Sequence, residues 1–290
     1  MLAITSGGDH SAYVLGMLKG VFGNCPEYTE WDKIVGISAG ALIGSSLAGI
    51  EKDDRSGFIK KINHLMNSHL NFAESWTPLG AVANIAKAFF WHKSLFRAPI
   101  QEIIKPEWSN RFKRQLFVGA FNKSRGLYET FGPNPNIMQV AASASVPVVF
   151  PSVKINGMNY EDGAVSHIIP VKEIKKQWTE GSLDLMLCYP TSYSEFLKTS
   201  DYESRFALVG SAWHAVTEST WVTYNQDLDT LADICGQDIR GGGVFTVGQK
   251  TIRVYVPKKG QFVDFTSRNF SALHSMHQHG ENIARKILNM

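Results

Sequence analysis

Along the first fifty positions, short continuous runs of hydrophobic residues alternate with segments in which hydrophobic residues recur every three or four positions. Short apolar runs at residues 2–6 and 31–37 predict strands, whereas apolar residues three or four positions apart through residues 11–22 predict a helix. A second helix, rich in small residues, is predicted at residues 39–48. Strands that alternate with helices in this way are typical of an α/β domain with parallel strands.

The remainder of the chain continues the alternation. Strands are predicted at residues 114–122, 126–131, 183–190 and 249–257, the first two as a hairpin, and helices at residues 136–144, 206–234 and 266–288. Residues 54–104 are predicted to be a helical insertion broken by two prolines, and the glycine-rich residues 240–244 a flexible turn. We find no internal repeat or linker, so residues 1–290 are predicted to form one domain.

Composition narrows the class of protein only slightly. Of the 290 residues, 44% are hydrophobic and 19% charged, which is enough for a full core, and a net charge of +3 does not indicate nucleic acid. Three widely spaced cysteines suit a reducing compartment. Because the N-terminus lacks secretory-signal features and no apolar run approaches about 18 residues, we expect a cytoplasmic protein, with peripheral membrane contact left open.

The first chemical signal is the sequence GISAG, where the second strand meets the second helix. In a Gly-x-Ser-x-Gly turn the serine hydroxyl projects above the sheet, and the glycines, here Gly36 and Gly40, avoid collisions with neighbouring elements. The helix N-terminus favours negative charge that develops there. The pattern alone leaves two interpretations open, a nucleophile at Ser38 or a helix cap in a tightly packed turn.

A glycine loop, TSGGDHS, lies between the first strand and the first helix, where a parallel sheet presents backbone amides to ligands. The amides of Gly7 and Gly8 are candidates for an oxyanion hole, whose donors contribute on the order of 100- to 1,000-fold in rate each. A phosphate loop is the alternative. The sequence lacks both G-x-G-x-x-G and the Gly-Lys-Ser/Thr of nucleotide loops, so nucleotide binding is disfavoured.

A serine nucleophile needs a base. Ser38, Asp162 and a histidine from residues 274–280 follow the chain order of an α/β-hydrolase triad, but such enzymes place several strands before the elbow, and here there is room for only one besides the strand that leads into it. The histidines at 274–280 are also weak metal candidates, and a solvated helix face is favoured. Taken alone, Asp162 before Gly163 would be interpreted as an Asx turn.

Taken together, these motifs resemble the patatin-like phospholipases, acyl hydrolases that use a Ser–Asp dyad. The elbow matches the family's nucleophile motif, the glycine loop its oxyanion region, ASASVPVVFPSV and YEDGA its small-residue helix and Asp-Gly-Gly/Ala turn, and residues 263–288 its closing helix. The resemblance implies a three-layer α/β/α fold with a mostly parallel sheet. It implies that Ser38 is the nucleophile and Asp162 the general base, with the amides of Gly7, Gly8 and Ala39 in the oxyanion hole.

The activity implied by the resemblance is hydrolysis of carboxylic esters in phospholipids or related lipids through an acyl-serine intermediate. The implied partners are a lipid substrate and, transiently, a membrane surface, with no metal or organic cofactor and no nucleic acid. The sequence gives no indication of oligomeric state. Two alternatives stay open: a catalytically weakened lipid-binding protein on the same scaffold, and acyl transfer to an acceptor other than water.

The glycine loop departs from the family's usual Gly-Gly-Gly-x-Arg/Lys-Gly pattern. Ser6 and Ser11 replace the first and last glycines, His10 occupies the basic position, and Asp9 adds a negative charge. These changes favour a weaker oxyanion hole and motivate the lipid-binding alternative. After the Asp-Gly-Ala turn, His167 is interpreted as a surface or packing histidine.

An aromatic cluster at residues 87–96, KAFFWHKSLF, lies within the predicted insertion. In a lipid acyl hydrolase it is a candidate acyl-chain groove or interfacial face, with its basic residues facing head groups. Ordinary packing between helices is the equally favoured alternative.

Overall fold

A computed structural model of the chain describes residues 1–24, 30–74, 100, 111–147, 149–198, 207–258 and 270–289. The strands are β1 (Leu2–Ile4), β2 (Lys33–Ile37), β3 (Gln115–Asn122), β4 (Leu127–Phe131), β5 (Val153–Ile155), β6 (Met158–Asp162), β7 (Ser182–Met186), β8 (Gly243–Val247) and β9 (Lys250–Tyr255). The α-helices are α1 (Ser11–Asn24), α2 (Ala39–Ala48), α3 (Arg55–Glu74), α4 (Ile137–Ser143), α5 (Val171–Gln177), α6 (Tyr193–Leu197), α7 (Ala207–Cys235) and α8 (Phe270–Ile287). Short 3-10 turns occupy Gly8–His10 and Gly163–Val165.

The nine strands of the described residues form one mixed sheet in the order β5-β6-β3-β2-β1-β7-β9-β8, with β4 paired to β3. The central strands β3-β2-β1-β7-β9 are parallel, and the strands at both margins pair antiparallel. One hydrophobic core lies between the sheet and helices α1, α2 and α8, and another between the sheet and helices α5 and α7. The predicted three-layer α/β/α fold with a mostly parallel sheet is therefore confirmed.

The register of β3 determines where the chemistry meets. Strand β2 pairs with residues 115–119 of β3, and β6 pairs with residues 120–122. Because β4 pairs with residues 118–122 and so overlaps both, β2 and β6 must share the opposite edge of β3, end to end. Ser38 follows β2 directly, and Asp162 is the last residue of β6. The sheet thus brings these two residues to the same point from distant parts of the chain.

Two local predictions are corrected by the structure. Residues 240–244 are not entirely a flexible turn, since Gly243 begins the edge strand β8. This strand is short and half-exposed and begins with a glycine, so its sequence has no clear strand pattern. Nor are the histidines of α8 all on a solvated face. His277 is buried against α1, where Gly16 approaches its backbone, and the His279 ring contacts Tyr13.

Much of the predicted insertion at 54–104 lies outside the described residues, including the aromatic cluster at 87–96, so its role stays a prediction. Its described part is the end of a turn, helix α3 and the buried residue Ile100. None of the helices in the described ranges has the length and apolar character needed to cross a lipid bilayer.

Candidate active site

The turn between β2 and α2 holds Ser38 in a strained conformation. Its φ is 56° and its ψ −124°. Residues other than glycine adopt this backbone conformation at a cost of about 1–3 kcal/mol, and residues strained in this way cluster at functional sites. A Cβ on Gly36 would lie less than 3 Å from the Gly40 carbonyl, and one on Gly40 less than 3 Å from the Ile4 carbonyl. The Ser38 side chain makes no capping hydrogen bond to α2. The helix-cap interpretation therefore does not account for this serine.

Asp162 lies at the end of β6 with only 1% of its surface exposed. Its Oδ1 accepts a hydrogen bond from the Ala164 amide at 2.8 Å, which is the Asx turn expected before Gly163. Its Oδ2 is buried and accepts no hydrogen bond of normal geometry from any described residue. The turn therefore uses one carboxylate oxygen and leaves the other available to a reacting proton. Gly163 is required at this point, since a Cβ there would lie less than 3 Å from the Gly119 carbonyl.

The environment of Asp162 suits a base that works near neutral pH. Burial raises the pKa of its carboxyl to about 7, against smaller opposing effects of the Ser38 hydroxyl and the Ala164 amide. The Ser38 hydroxyl is thus close enough to influence the carboxyl, although the two do not form a hydrogen bond of normal length and angle. We therefore treat them as adjacent and not as hydrogen-bonded. Catalytic contacts are often long in the unliganded state and tighten when substrate binds.

The C-terminal end of α4 holds both residues by their backbones. The Ser38 amide donates to the Ser143 carbonyl at 3.0 Å and to its Oγ at 3.2 Å, and the Asp162 amide donates to the Ser145 carbonyl at 2.9 Å. The Ser143 hydroxyl in turn donates to the Gly119 carbonyl at 2.6 Å. The sequence identified this segment only as a family-like helix. Its alternation of serine with alanine is the one signal that could have pointed to these contacts.

The glycine loop leaves amides unused at the same end of the sheet. The N–H groups of Gly7, Gly8 and Ala39 donate to no carbonyl in the part of the chain that the structure describes. Gly7 and Gly8 follow β1 and Ala39 follows Ser38 beyond the neighbouring strand β2, so these groups lie at one end of adjacent strands. Gly8 has a φ of 50°, which glycine adopts without strain. The three predicted donors thus lie at the same end of the sheet as Ser38.

The departures in the glycine loop have specific surroundings. The His10 ring packs at a tilt against the Tyr189 ring, with centroids 5.0 Å apart. Burial raises the pKa of the Tyr189 phenol, with contributions from Cys188 and from the carboxylates of Asp9 and Asp162. The Asp9 and Asp162 carboxylates therefore both act on the Tyr189 phenol. Ser6 and Ser11 are both buried.

His167 is a packing histidine, as predicted. Its Nδ1 lies 2.8 Å from Asp227 Oδ1, and its ring stands edge-on to Tyr128. The buried Asp227 also accepts the amides of Ile168 and Ile169 at 2.7 and 2.9 Å, through its Oδ2. Since the Ile168 carbonyl accepts the Ser6 amide at 2.8 Å, Asp227 supports the start of the glycine loop from helix α7. Nothing in the sequence pattern indicated this role for Asp227.

No metal centre accompanies the site in the described residues, where no three His, Cys, Asp or Glu side chains are grouped so as to hold an ion. Cys188 packs against Gly7, and burial raises the pKa of its thiol to about 12.

Comparison with known proteins shows which family model the sequence matches. The family model of the patatin-like phospholipases matches residues 2–174, more than half of the chain. A comparison with curated proteins finds no match. Among solved structures, the chain is similar to the crystal structure of VipD from Legionella pneumophila, with 14% sequence identity and a TM-score of 0.46. The similarity covers 99% of this chain and 66% of VipD, so the chain spans slightly less than two thirds of that structure.

Proposed function

Because the chain belongs to the patatin-like phospholipase family, we propose that it is a lipid acyl hydrolase that uses Ser38 as nucleophile and Asp162 as general base. The observation that carries this proposal is the adjacency of the two side chains. A strained serine that caps nothing lies beside a buried carboxyl with a pKa of about 7 and one unpaired oxygen.

The proposed reaction begins when Ser38 Oγ attacks the carbonyl carbon of a lipid ester and its proton passes to Asp162 Oδ2. The negative charge that develops on the carbonyl oxygen is stabilised by the amides of Gly7, Gly8 and Ala39 and by the N-terminus of α2. As the tetrahedral intermediate collapses, the ester bond breaks and the proton moves from Asp162 to the leaving alcohol, which leaves an acyl-Ser38. No step requires a metal or an organic cofactor.

Water completes the proposed cycle. Asp162 takes a proton from water as the water oxygen attacks the acyl carbon, and it returns a proton to Ser38 Oγ when the fatty acid leaves. Proton transfer by a positioned group contributes about 100- to 10,000-fold and is most effective when its pKa lies near the working pH. The pKa of about 7 for Asp162 meets this condition.

The substrate class is part of the proposal. Family membership favours ester bonds of phospholipids or related lipids, which implies transient contact with a lipid surface at the end of the sheet where Ser38 lies. Cytoplasmic location and the one-domain organisation remain predictions from the sequence. Strands on both sides of residue 174 belong to the same sheet, which supports the one-domain prediction.

A lipid-binding protein without turnover is the second candidate, and the glycine loop is the observation that favours it. Asp9 adds a carboxylate that acts on the Tyr189 phenol, and the His10 ring, at the position where the family usually has arginine or lysine, packs against the Tyr189 ring. A negative charge at this end of the sheet would weaken stabilisation of an oxyanion. This candidate predicts binding to phospholipid vesicles without release of fatty acid.

The proposal is tested by labelling with a fluorophosphonate, followed by mass-spectrometric mapping and by fatty-acid release from phosphatidylcholine vesicles. We expect labelling of Ser38, and loss of turnover in Ser38→Ala and Asp162→Asn. Ser45→Ala is the matched control, since the Ser45 hydroxyl donates only to the Leu42 carbonyl within the same helix, at 2.8 Å. Turnover that persists in Ser38→Ala would refute the proposal, and vesicle binding without labelling would favour the second candidate. Products that shift to acyl transfer when lysolipid is added would identify a transferase.

A further inference from the structure

Ser143 lies at the last turn of α4 and is completely buried. Its hydroxyl takes part in two hydrogen bonds that join different elements, accepting from the Ser38 amide at 3.2 Å and donating to the Gly119 carbonyl at 2.6 Å. One partner belongs to the elbow and the other to strand β3. The Ser145 hydroxyl, two residues further on, donates instead to the Ala141 carbonyl of its own helix at 2.8 Å.

Gly119 occupies a central position between the two proposed reacting residues. It pairs with Ile37, the residue before Ser38, and it precedes Ala120, which pairs with Asp162. Its carbonyl also lies against Gly163, where no side chain would fit. The Ser143 hydroxyl therefore connects the backbone that carries the serine to the point of β3 against which the aspartate turn packs.

We propose that Ser143 is a positioning residue, whose hydroxyl fixes the Ser38 elbow against β3 and thereby sets the separation of Ser38 Oγ and Asp162 Oδ2. The inference rests on the proposed function for its catalytic meaning, but the geometry that it concerns exists in the unliganded protein. Ser143→Ala removes both hydrogen bonds of the hydroxyl and with them the connection between the elbow and Gly119. The Ser143 carbonyl still accepts the Ser38 amide, so one contact to the elbow is kept.

A change in the separation of Ser38 and Asp162 has a measurable signature. The Ser38 hydroxyl lowers the pKa of Asp162 by favouring the charged carboxylate. If the elbow moves away, this effect weakens and the pKa of Asp162 rises further above its usual value. The acidic limb of kcat/KM, which reports the base in the free enzyme, should then move to higher pH.

The Asp162 carboxylate acts on two tyrosines, Tyr128 from β4 and Tyr189 after β7, and the His167 ring packs against Tyr128. Burial raises the pKa of both tyrosines, so neither competes with a limb near neutrality. Asp9 and Glu173 contribute charge to these tyrosines. As a further control the profile is also recorded in His167→Gln, where the limb is expected to stay.

The experiment compares pH profiles of kcat and KM in wild type, Ser143→Ala and Val140→Ala. For Ser143→Ala we expect kcat to fall by about 10-fold or more with little change in KM, and the limb to rise by about half a pH unit or more. Val140 is equally buried in the same helix, and its truncation loosens packing without removing a hydrogen bond. Its limb should remain at the wild-type pH.

A second measurement separates this inference from the proposed function. Unfolding by urea is followed as a function of pH, because the folded-state titration of Asp162 appears there without any turnover. The quantity compared is the pH at the midpoint of the Asp162 titration in the stability profile. A higher midpoint pH in Ser143→Ala than in wild type supports the positioning role even if the wild type proves inactive. A wild-type enzyme that is active, with the same limb, midpoint and kcat in Ser143→Ala, would overturn it, as would an equal shift in Val140→Ala. If Ser143→Ala does not fold, Ser143→Cys replaces it, since a thiol is a weaker donor, and a wild-type limb and kcat there also overturn the inference.

Discussion

Replacing Asp162 by asparagine is expected to make the protein more stable at pH 8 than the wild type and to have a much smaller effect at pH 5. The carboxyl is buried and its negative charge is opposed by burial, so the ionised form is costly in the folded state. Asparagine has nearly the same shape and cannot ionise. Its Oδ1 can keep the hydrogen bond from the Ala164 amide, and its amide group can donate to the Ser38 hydroxyl.

The magnitude follows from the pKa. Burial raises it from 3.8 in the unfolded chain to about 7 in the folded protein, so the folded state binds the proton more tightly. The corresponding stability is fully present below pH 3.8 and is lost as the pH rises through 7. The difference between these two pKa values corresponds to about 4 kcal/mol, which is the expected advantage of Asp162→Asn at pH 8 as an upper limit. At pH 5 the folded wild type still holds its proton, and the advantage falls to about 1–2 kcal/mol.

Urea unfolding of both proteins at pH 5 and pH 8 measures this difference directly, and thermal unfolding should show a shift of roughly 10 °C at pH 8. Asp53→Asn is the control, since this carboxylate is exposed and its replacement should change stability little at either pH. Equal stabilisation by Asp162→Asn at both pH values, or none at pH 8, would refute the argument that burial sets the pKa. The same variant is expected to lose turnover, so stability and activity would change in opposite directions.

Other perturbations test the surrounding structure. Gly40→Ala should lower the free energy of unfolding by about 1–3 kcal/mol, because the new Cβ would meet a carbonyl of β1. Gly23→Ala, in α1 with open space around it, should raise that free energy by about 0.5–1 kcal/mol. Equal effects of the two substitutions in urea unfolding would contradict this packing. Asp184→Ala should lower the free energy of unfolding by about 3–5 kcal/mol, because Arg253 Nε and Nη2 lie 2.6 and 2.7 Å from the buried Asp184 carboxylate and would be left without this opposite charge. A decrease below about 1 kcal/mol would count against the importance of this pair. Iodoacetamide should label Cys188 only after unfolding, because the thiol is buried with a pKa of about 12, and rapid labelling of native protein, read by mass spectrometry, would contradict its position.

Ser38 and Asp162 could be predicted as candidates from the sequence because they lie in short motifs that together resemble those of one family. Gly36 is required within the elbow itself, where a Cβ would meet the Gly40 carbonyl, whereas Gly40 and Gly163 are required because carbonyls of β1 and β3 approach them. The register of β3 is different, because it depends on pairing between strands about 80 and 40 residues apart along the chain. The contacts of Ser143 and Asp227 are equally non-local, and neither residue belongs to a pattern with a period. The pKa of Asp162 depends on burial by all of these elements and could not be predicted before they were in place.

Burial of this aspartate also offers a physical reason why two residues would suffice for the proposed reaction. In a triad, a histidine supplies a base that titrates near neutrality, and a carboxylate orients it. Here the elements around Asp162 exclude water, and no cation in the described residues is among the causes that lower its pKa. The carboxyl thereby reaches the range of an imidazole without one. A positive charge brought close to Asp162 should therefore reduce the cost of its buried negative charge near neutral pH and weaken the base, which links the efficiency of the proposed reaction to a local cost in stability.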